Sequence, residues 1–157
     1  MAQVISVFTF KSVKTILQVG GTQSWVLNRA NASACKYVVC CRNANSNAPE
    51  GNEPHGSAFM VGRVRDVLPS TETQGRWLIQ MSEYAVFENP VPEQHGGRAP
   101  VRYYEEQEYE GDIDFDKLKW LPMPSQNAEK LTIGGAKAAL STSLGVPESA
   151  IEITIKL

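Results

Sequence analysis

All seven arginines of this chain, Arg29, Arg42, Arg63, Arg65, Arg76, Arg98 and Arg102, fall in its central stretch. Of the eight lysines only Lys36 lies inside that stretch, and the other seven flank it. The two cations do different chemistry. A guanidinium forks onto phosphate, carboxylate or guanine-type edges and stacks on rings, whereas an ammonium is a compact point charge. Aromatic residues interleave with the arginines: Trp25, Tyr37, Phe59, Trp77, Tyr84, Tyr103 and Tyr104. Ring faces beside guanidinium forks are how single bases and nucleotides are held. The pattern predicts a ligand-binding set of Trp25, Arg42, Arg63, Arg65, Arg76, Trp77, Tyr84, Arg98, Arg102 and Tyr103. The plainer alternative is that the rings fill a core and the arginines decorate a sheet face.

Catalytic patterns are weak by comparison. His55 and His95 are the two histidines, each in a Gly/Pro-rich segment, and His55 has no second ligand at metal spacing. Glu83 beside Tyr84 could serve as a general acid or base, but a strand-end carboxylate is more often an arginine's partner, here Arg63, Arg65 or Arg102. No G-x-S-x-G elbow and no P-loop occur. Gly134-Gly135, at an expected helix start, is a weak anion-binding signal. Cys35, Cys40 and Cys41 lack CxxC spacing, and an apolar run with Tyr37, Val38 and Val39 predicts buried thiols that behave as small hydrophobes. No catalytic residue, metal or cofactor is expected.

Those side chains need a frame, and 157 residues suffice for one domain with a respectable core. A net charge of −2 lacks the basic excess of proteins that coat nucleic acid, which leaves a small ligand or a single extruded base. The opening MAQVISVFTFK has no basic n-region or cleavage site, and no apolar run approaches spanning length. A soluble, cytoplasmic protein in a reducing compartment is expected, with no membrane association.

Val4 to Phe10 reads as a strand. Ser12 caps a short helix that buries Val13, Ile16 and Leu17 and stops at Gly20-Gly21. Trp25 to Leu27 is extended, Asn28 to Ala34 a helical turn, and Tyr37 to Cys41 a buried strand. Residues 43–56 form a loop. Ser57–Val67 and Arg76–Phe87 make a long hairpin across the turn-rich Pro69–Gly75. Strict alternation would put Phe59, Val61, Arg63 and Arg65 on one face, with Met60, Gly62 and Val64 on the other. After a second loop, 88–100, Val101 to Tyr104 returns as a strand, and seven acids then crowd Glu105 to Asp116 as a solvated surface without EF-hand spacing. Beyond Pro122 and Pro124, Thr132 caps a helix carrying Ile133, Ala136, Leu140 and Leu144, ended by Gly145. Ile151, Ile153, Ile155 and Leu157 alternate as a strand. The fold class expected is α+β, a mostly antiparallel sheet or small barrel with short helices. Residues 1–157 form one domain, divided into a strand–helix extension (1–24), a central β core (25–121) and a C-terminal helix–strand unit (125–157).

The segments Y-V-V-C-C-R-N (37–43), F-M-V-G-R-V-R-D-V (59–67) and R-W-L-I-Q-M-S-E-Y-A-V-F (76–87), with an opening at Trp25, resemble the PUA-like barrels, particularly their EVE and ASCH branches. The resemblance covers Trp25 to Tyr104. It implies nucleic-acid binding, with EVE-type members similar to readers of modified bases flipped into an aromatic pocket. By position it implies Trp25, Arg42, Asn43 and Trp77 as pocket residues. The strand–helix before Trp25 and the C-terminal helix–strand depart from that pattern.

A non-enzymatic binding module for a nucleotide or modified nucleobase is therefore the function expected. The alternatives are a protein-interaction or inhibitory factor of phage or mobile-element type, which could sequester a nucleotide, and a small enzyme using Glu83, His55 or His95 on a phosphorylated substrate. The alternating C-terminal strand would suit a homo-oligomer.

Overall fold

The computed structural model describes residues 3–92, 94, 99–124, 141 and 144–150. The chain divides into two compact units, Met1–Pro124 and Ser125–Leu157. The first holds β1 (Val4–Thr9), α1 (Val13–Val19), β2 (Gly21–Trp25), α2 (Arg29–Ser33), β3 (Tyr37–Arg42), β4 (Ala58–Pro69), β5 (Trp77–Val91), β6 (Val101–Tyr104) and β7 (Leu121–Pro122). Their sheet runs β2-β5-β4-β3-β1-β6, with β7 also paired to β5. Every pairing is antiparallel except β1 with β3. The unit is thus α+β and mostly antiparallel sheet.

The helices form where local chemistry directs. Ser12 Oγ accepts from Thr15 N–H at 3.1 Å to cap α1, and Gly20, at φ 88°, ends it with its N–H on Ile16 O at 2.9 Å. Asn28 Oδ1 caps α2 by accepting from Asn31 N–H at 3.0 Å. Both helices are too short to persist alone, so their burial must hold them. Ile16 and Ala32 supply it by packing on one sheet face with Ile5, Val38, Cys40, Phe59, Met60, Ile79 and Met81.

The opposite face is covered by an irregular strap. Tyr109, Ile113 and Phe115 are buried there with Val4, Tyr37, Val39, Cys41 and Val61, and Leu118 and Trp120 pack alongside. Glu105 N–H bonds Glu108 Oε2 at 2.7 Å in a capping box that turns the strap's first residues into a 3-10 turn. The strap's apolar side chains point inward, while Glu105, Glu108, Glu110, Asp112, Asp114 and Asp116 are exposed.

Two sequence expectations need correction. Residues 1–24 are not an appendage to the sheet: β1 lies between β3 and β6, and Val4, Ile5, Ser6 and Val7 are each 0% exposed. A run buried on both faces has no reason to alternate polar residues, which is the pattern of interior parallel strands. Alternation also fails in β4. Its register shifts between Ala58 and Met60 and again between Val64 and Asp66, so Phe59 and Met60 both join the helix-side core while Val61 faces the strap. Bulges do this by adding a residue to one strand of a pair.

In the second unit, the N–H of Gly145 (φ 67°) donates to Ser141 O at 2.9 Å, as a helix stop requires. Glu148–Ala150 forms a 3-10 turn. Of the expected helix from Thr132 through Leu144, positions 141 and 144 are helical, while residues 132–140 and the expected strand at 151–157 lie outside the described residues.

Candidate functional site

Trp25 and Trp77 stand directly opposite each other where β2 pairs with β5 at the end of the sheet path. Both are half-buried and pack against the helix-side core. Their apposition depends on an irregularity. The β2–β5 register shifts between Gln23 and Trp25, and Ser24 in that gap has φ 75°, the left-handed region that an L side chain enters at a cost of roughly 1–2 kcal/mol.

Neighbours hold this backbone in place. Ser24 Oγ donates to Glu72 Oε1 at 2.6 Å, and Arg76 Nη1 donates to Ser24 O at 3.1 Å. Gln23 Oε1 accepts from Thr71 N–H and Oγ at 2.8 and 2.9 Å. The β4–β5 turn is thereby sewn onto β2. Trp25 Nε1–H donates to Thr22 Oγ1 at 3.0 Å, fixing the indole's orientation. The Arg29 guanidinium lies 5.9 Å from the Trp77 ring centroid, with its Nε on Val67 O at 2.9 Å and Nη2 at 3.7 Å from Asp66. Trp25 and Trp77 are thus paired across the strands, with Arg29 over the Trp77 ring and Arg76 on the Ser24 carbonyl.

The remaining predicted residues that the structure describes lie elsewhere. Arg42 is fully buried: Nε donates to Glu53 Oε2 at 2.9 Å, Nη1 to Lys11 O at 2.7 Å, and the guanidinium sits 4.1 Å from the Phe59 ring centroid. Asn43 turns the following loop, its N–H on Thr9 O at 2.8 Å and its Oδ1 accepting from Asn45 N–H at 3.1 Å. Arg63 is on the strap face, 3.4 Å from Glu83 Oε1 and 4.3 Å from the Trp120 ring centroid. Arg65 is exposed in the β4 irregularity, and Arg102 faces the strap side opposite Ser6. Tyr84 and Tyr103 both touch the helix-side core, but β4, β3 and β1 lie between their strands, a separation of about 19 Å at sheet spacing. Burial, then Cys35, raises the Tyr103 pKa. Arg98 and His95 lie outside the described residues. The described arginines therefore do not converge on one concavity.

The arginine sorting has a second physical source inside the fold. Arg29, Arg42 and Arg63 each join a carboxylate to a ring: Asp66 with Trp77, Glu53 with Phe59, and Glu83 with Trp120. A planar fork suits both contacts at once, although the ammonium of Lys11 also joins Glu72 to the Phe10 ring. Of the candidates for catalysis that are described, Glu83 is engaged by Arg63 and His55 by Ala44 N–H on its Nδ1 at 3.2 Å. No group of three metal-ligating side chains occurs among the described residues, and no described helix is long and apolar enough to cross a membrane.

The three thiols are free and buried. Burial pushes the Cys35 pKa up to about 11 and Cys41 up to about 12, and it raises Cys40 as well. The thiolate is the reactive form. Native protein at pH 8 should therefore leave Ellman's reagent largely unreacted, with all three thiols appearing on denaturation; rapid labelling of the native state would contradict this burial.

Arg29 and Ser24 are the members of the cluster that the predicted site omitted. Arg29 was visible as the arginine four residues after Trp25, following an Asn cap. Nothing in the sequence marks Ser24, because a left-handed serine has no composition signal. No family model, curated protein or solved structure matches this chain.

Proposed function

We propose that this protein is a non-catalytic binding module that takes a nucleotide or a single nucleobase against the Trp25–Trp77 edge. The observation that carries this reading is the cross-strand pairing of two half-buried tryptophans, with Arg29 over the Trp77 ring and Arg76 held at the Ser24 carbonyl. A base stacks on an indole, and a guanidinium beside it can meet a phosphate or the Hoogsteen edge of the base. The surrounding hydrogen bonds hold the cluster before any ligand arrives, which lowers the ordering cost of binding. The likeness of the β4–β5 hairpin to PUA-like, EVE-type domains agrees in chemistry. In this reading a single extruded base, modified or not, is the natural guest, and bulk attraction to a long duplex plays no part because the net charge is −2.

Calorimetric titration with a panel of mono-, di- and cyclic nucleotides and modified single-stranded oligonucleotides tests the reading. At least one member should bind, and Trp77→Ala should weaken it about tenfold or more, the loss of one stacking contact. Trp25→Ala should act similarly. No binding by any member, or binding indifferent to both substitutions, removes the proposal.

A further inference from the structure

A separate cavity of about 380 Å³ opens at the other end of β5, bounded by the N-terminus of α1, residues 52–54 and the last residues of β5. Trp77 and Val86 are nine strand residues apart, roughly 30 Å, so this cavity is distinct from the indole pair. Its volume falls at the small end of ligand pockets, roughly 300–1,000 Å³. The floor is the buried Phe59 ring, and Val13, Pro54, Pro90 and Val86 form apolar walls. Val86 is 49% exposed, a large apolar side chain without cover. The polar groups at its edge are Asn52, Glu53 and Glu88, and no lysine, arginine or histidine lines it among the described residues.

The wall is built rigidly. Arg42, 4.1 Å from the Phe59 ring centroid, clamps Glu53, and Gly51 packs so closely that a Cβ there would lie 2.7 Å from Arg42 Nη2. Glu53 Oε2 takes the short bond from Arg42, while Oε1 is 3.4 Å from Nη2 and keeps acceptor capacity. Arg42 balances the charge of Glu53, which leaves Glu88 as the uncompensated carboxylate among the lining residues.

We infer that this cavity binds an organic cation: a flat or aliphatic apolar body seated on Phe59 and Val86, with an ammonium or guanidinium head turned to Glu88 and Glu53. Charge complementarity selects the sign, and the apolar floor selects against a fully hydrated inorganic ion. A free amine and an arginine side chain of a peptide share this chemistry.

Amide NMR titrations of the intact chain with benzamidine, benzoate and a capped Gly-Arg-Gly peptide test the inference. Benzamidine should shift signals around Phe59, Val86 and Glu88 and bind at least about tenfold more tightly than benzoate, its shape-matched anion. Glu88→Gln should weaken benzamidine about fivefold, as expected for one exposed charge pair, and Val86→Lys should abolish binding. Both substitutions are at exposed positions, so folding survives them. Tighter binding of the peptide would assign the site to a protein partner, tighter binding of benzamidine to a free amine. Absent shifts, equal affinity for benzoate, or indifference to Glu88→Gln would overturn the inference. Nucleotide titration at the indole pair is independent of all these outcomes.

Discussion

Glu53→Ala should lower the unfolding free energy by about 3–4 kcal/mol, the cost of stranding a buried charge whose partner has been removed. Arg42 is 0% exposed, and its side chain is surrounded by Glu53, two backbone carbonyls and the Phe59 ring. After the substitution the carbonyls of Thr9 and Lys11 remain, but the positive charge has no counter-ion and little access to water. The effect should also be local in origin. Glu53 tethers the 43–56 loop to β3, so amide exchange in that loop should rise along with the global loss. Urea unfolding of Glu53→Ala measures the first effect, and Arg42→Met combined with Glu53→Gln supplies the control. The double variant should be more stable than Glu53→Ala, because it removes both charges rather than one. An unchanged denaturation midpoint in Glu53→Ala would mean that Arg42 is solvated, contrary to its burial. Asp114→Asn, which breaks an exposed pair with Lys117 at 3.8 Å, should by contrast change stability by less than about 1 kcal/mol.

Gly21→Ala should destabilise the protein by about 2–3 kcal/mol, at the upper end of what overpacking costs when a neighbour cannot move away. A Cβ on Gly21 would collide with the carbonyl oxygen of Ile79 and come within 2.9 Å of Gln80 Cα. Both obstacles are backbone in the adjacent strand, so β2 would have to separate from β5. That separation displaces Trp25 from Trp77, and the near-ultraviolet circular dichroism of the indoles should change with it. Gly62→Ala makes an instructive contrast: its Cβ meets the Met81 thioether, the flexible end of a side chain, and the variant should be milder. Equal stability of Gly21→Ala and wild type would show that the β2–β5 pairing is looser than its register indicates.

Much of the architecture could be read from local pattern, and the reason differs by element. Ser12 and Gly20 bracket α1 because capping and left-handed termination are chemical properties of those two residues. The β4–β5 hairpin was legible because β-branched and aromatic runs flank a turn-rich segment. The interior position of β1 was hidden, since a parallel partner 33 residues away, as Val4 is from Tyr37, leaves no local mark. The fate of Arg42 was equally hidden: its carboxylate comes from a glutamate eleven residues on, within a loop without periodicity. For the candidate site, residue types were visible but convergence was not. Trp25 and Trp77 meet only because β2 folds back onto β5 across a bulge, whereas Arg63 and Arg102 face the strap and Tyr103 belongs to a distant strand.

The place of β1 bears on how the chain assembles during synthesis. Of the described strands it emerges from the ribosome first, yet its second lateral partner, β6, begins only at Val101. Until then one border of a mostly apolar segment lacks its mate, a species prone to self-association. Pairings so far apart along the chain also slow the search for the native arrangement. The sheet around β1 is therefore completed only after residues 101–104 have been made.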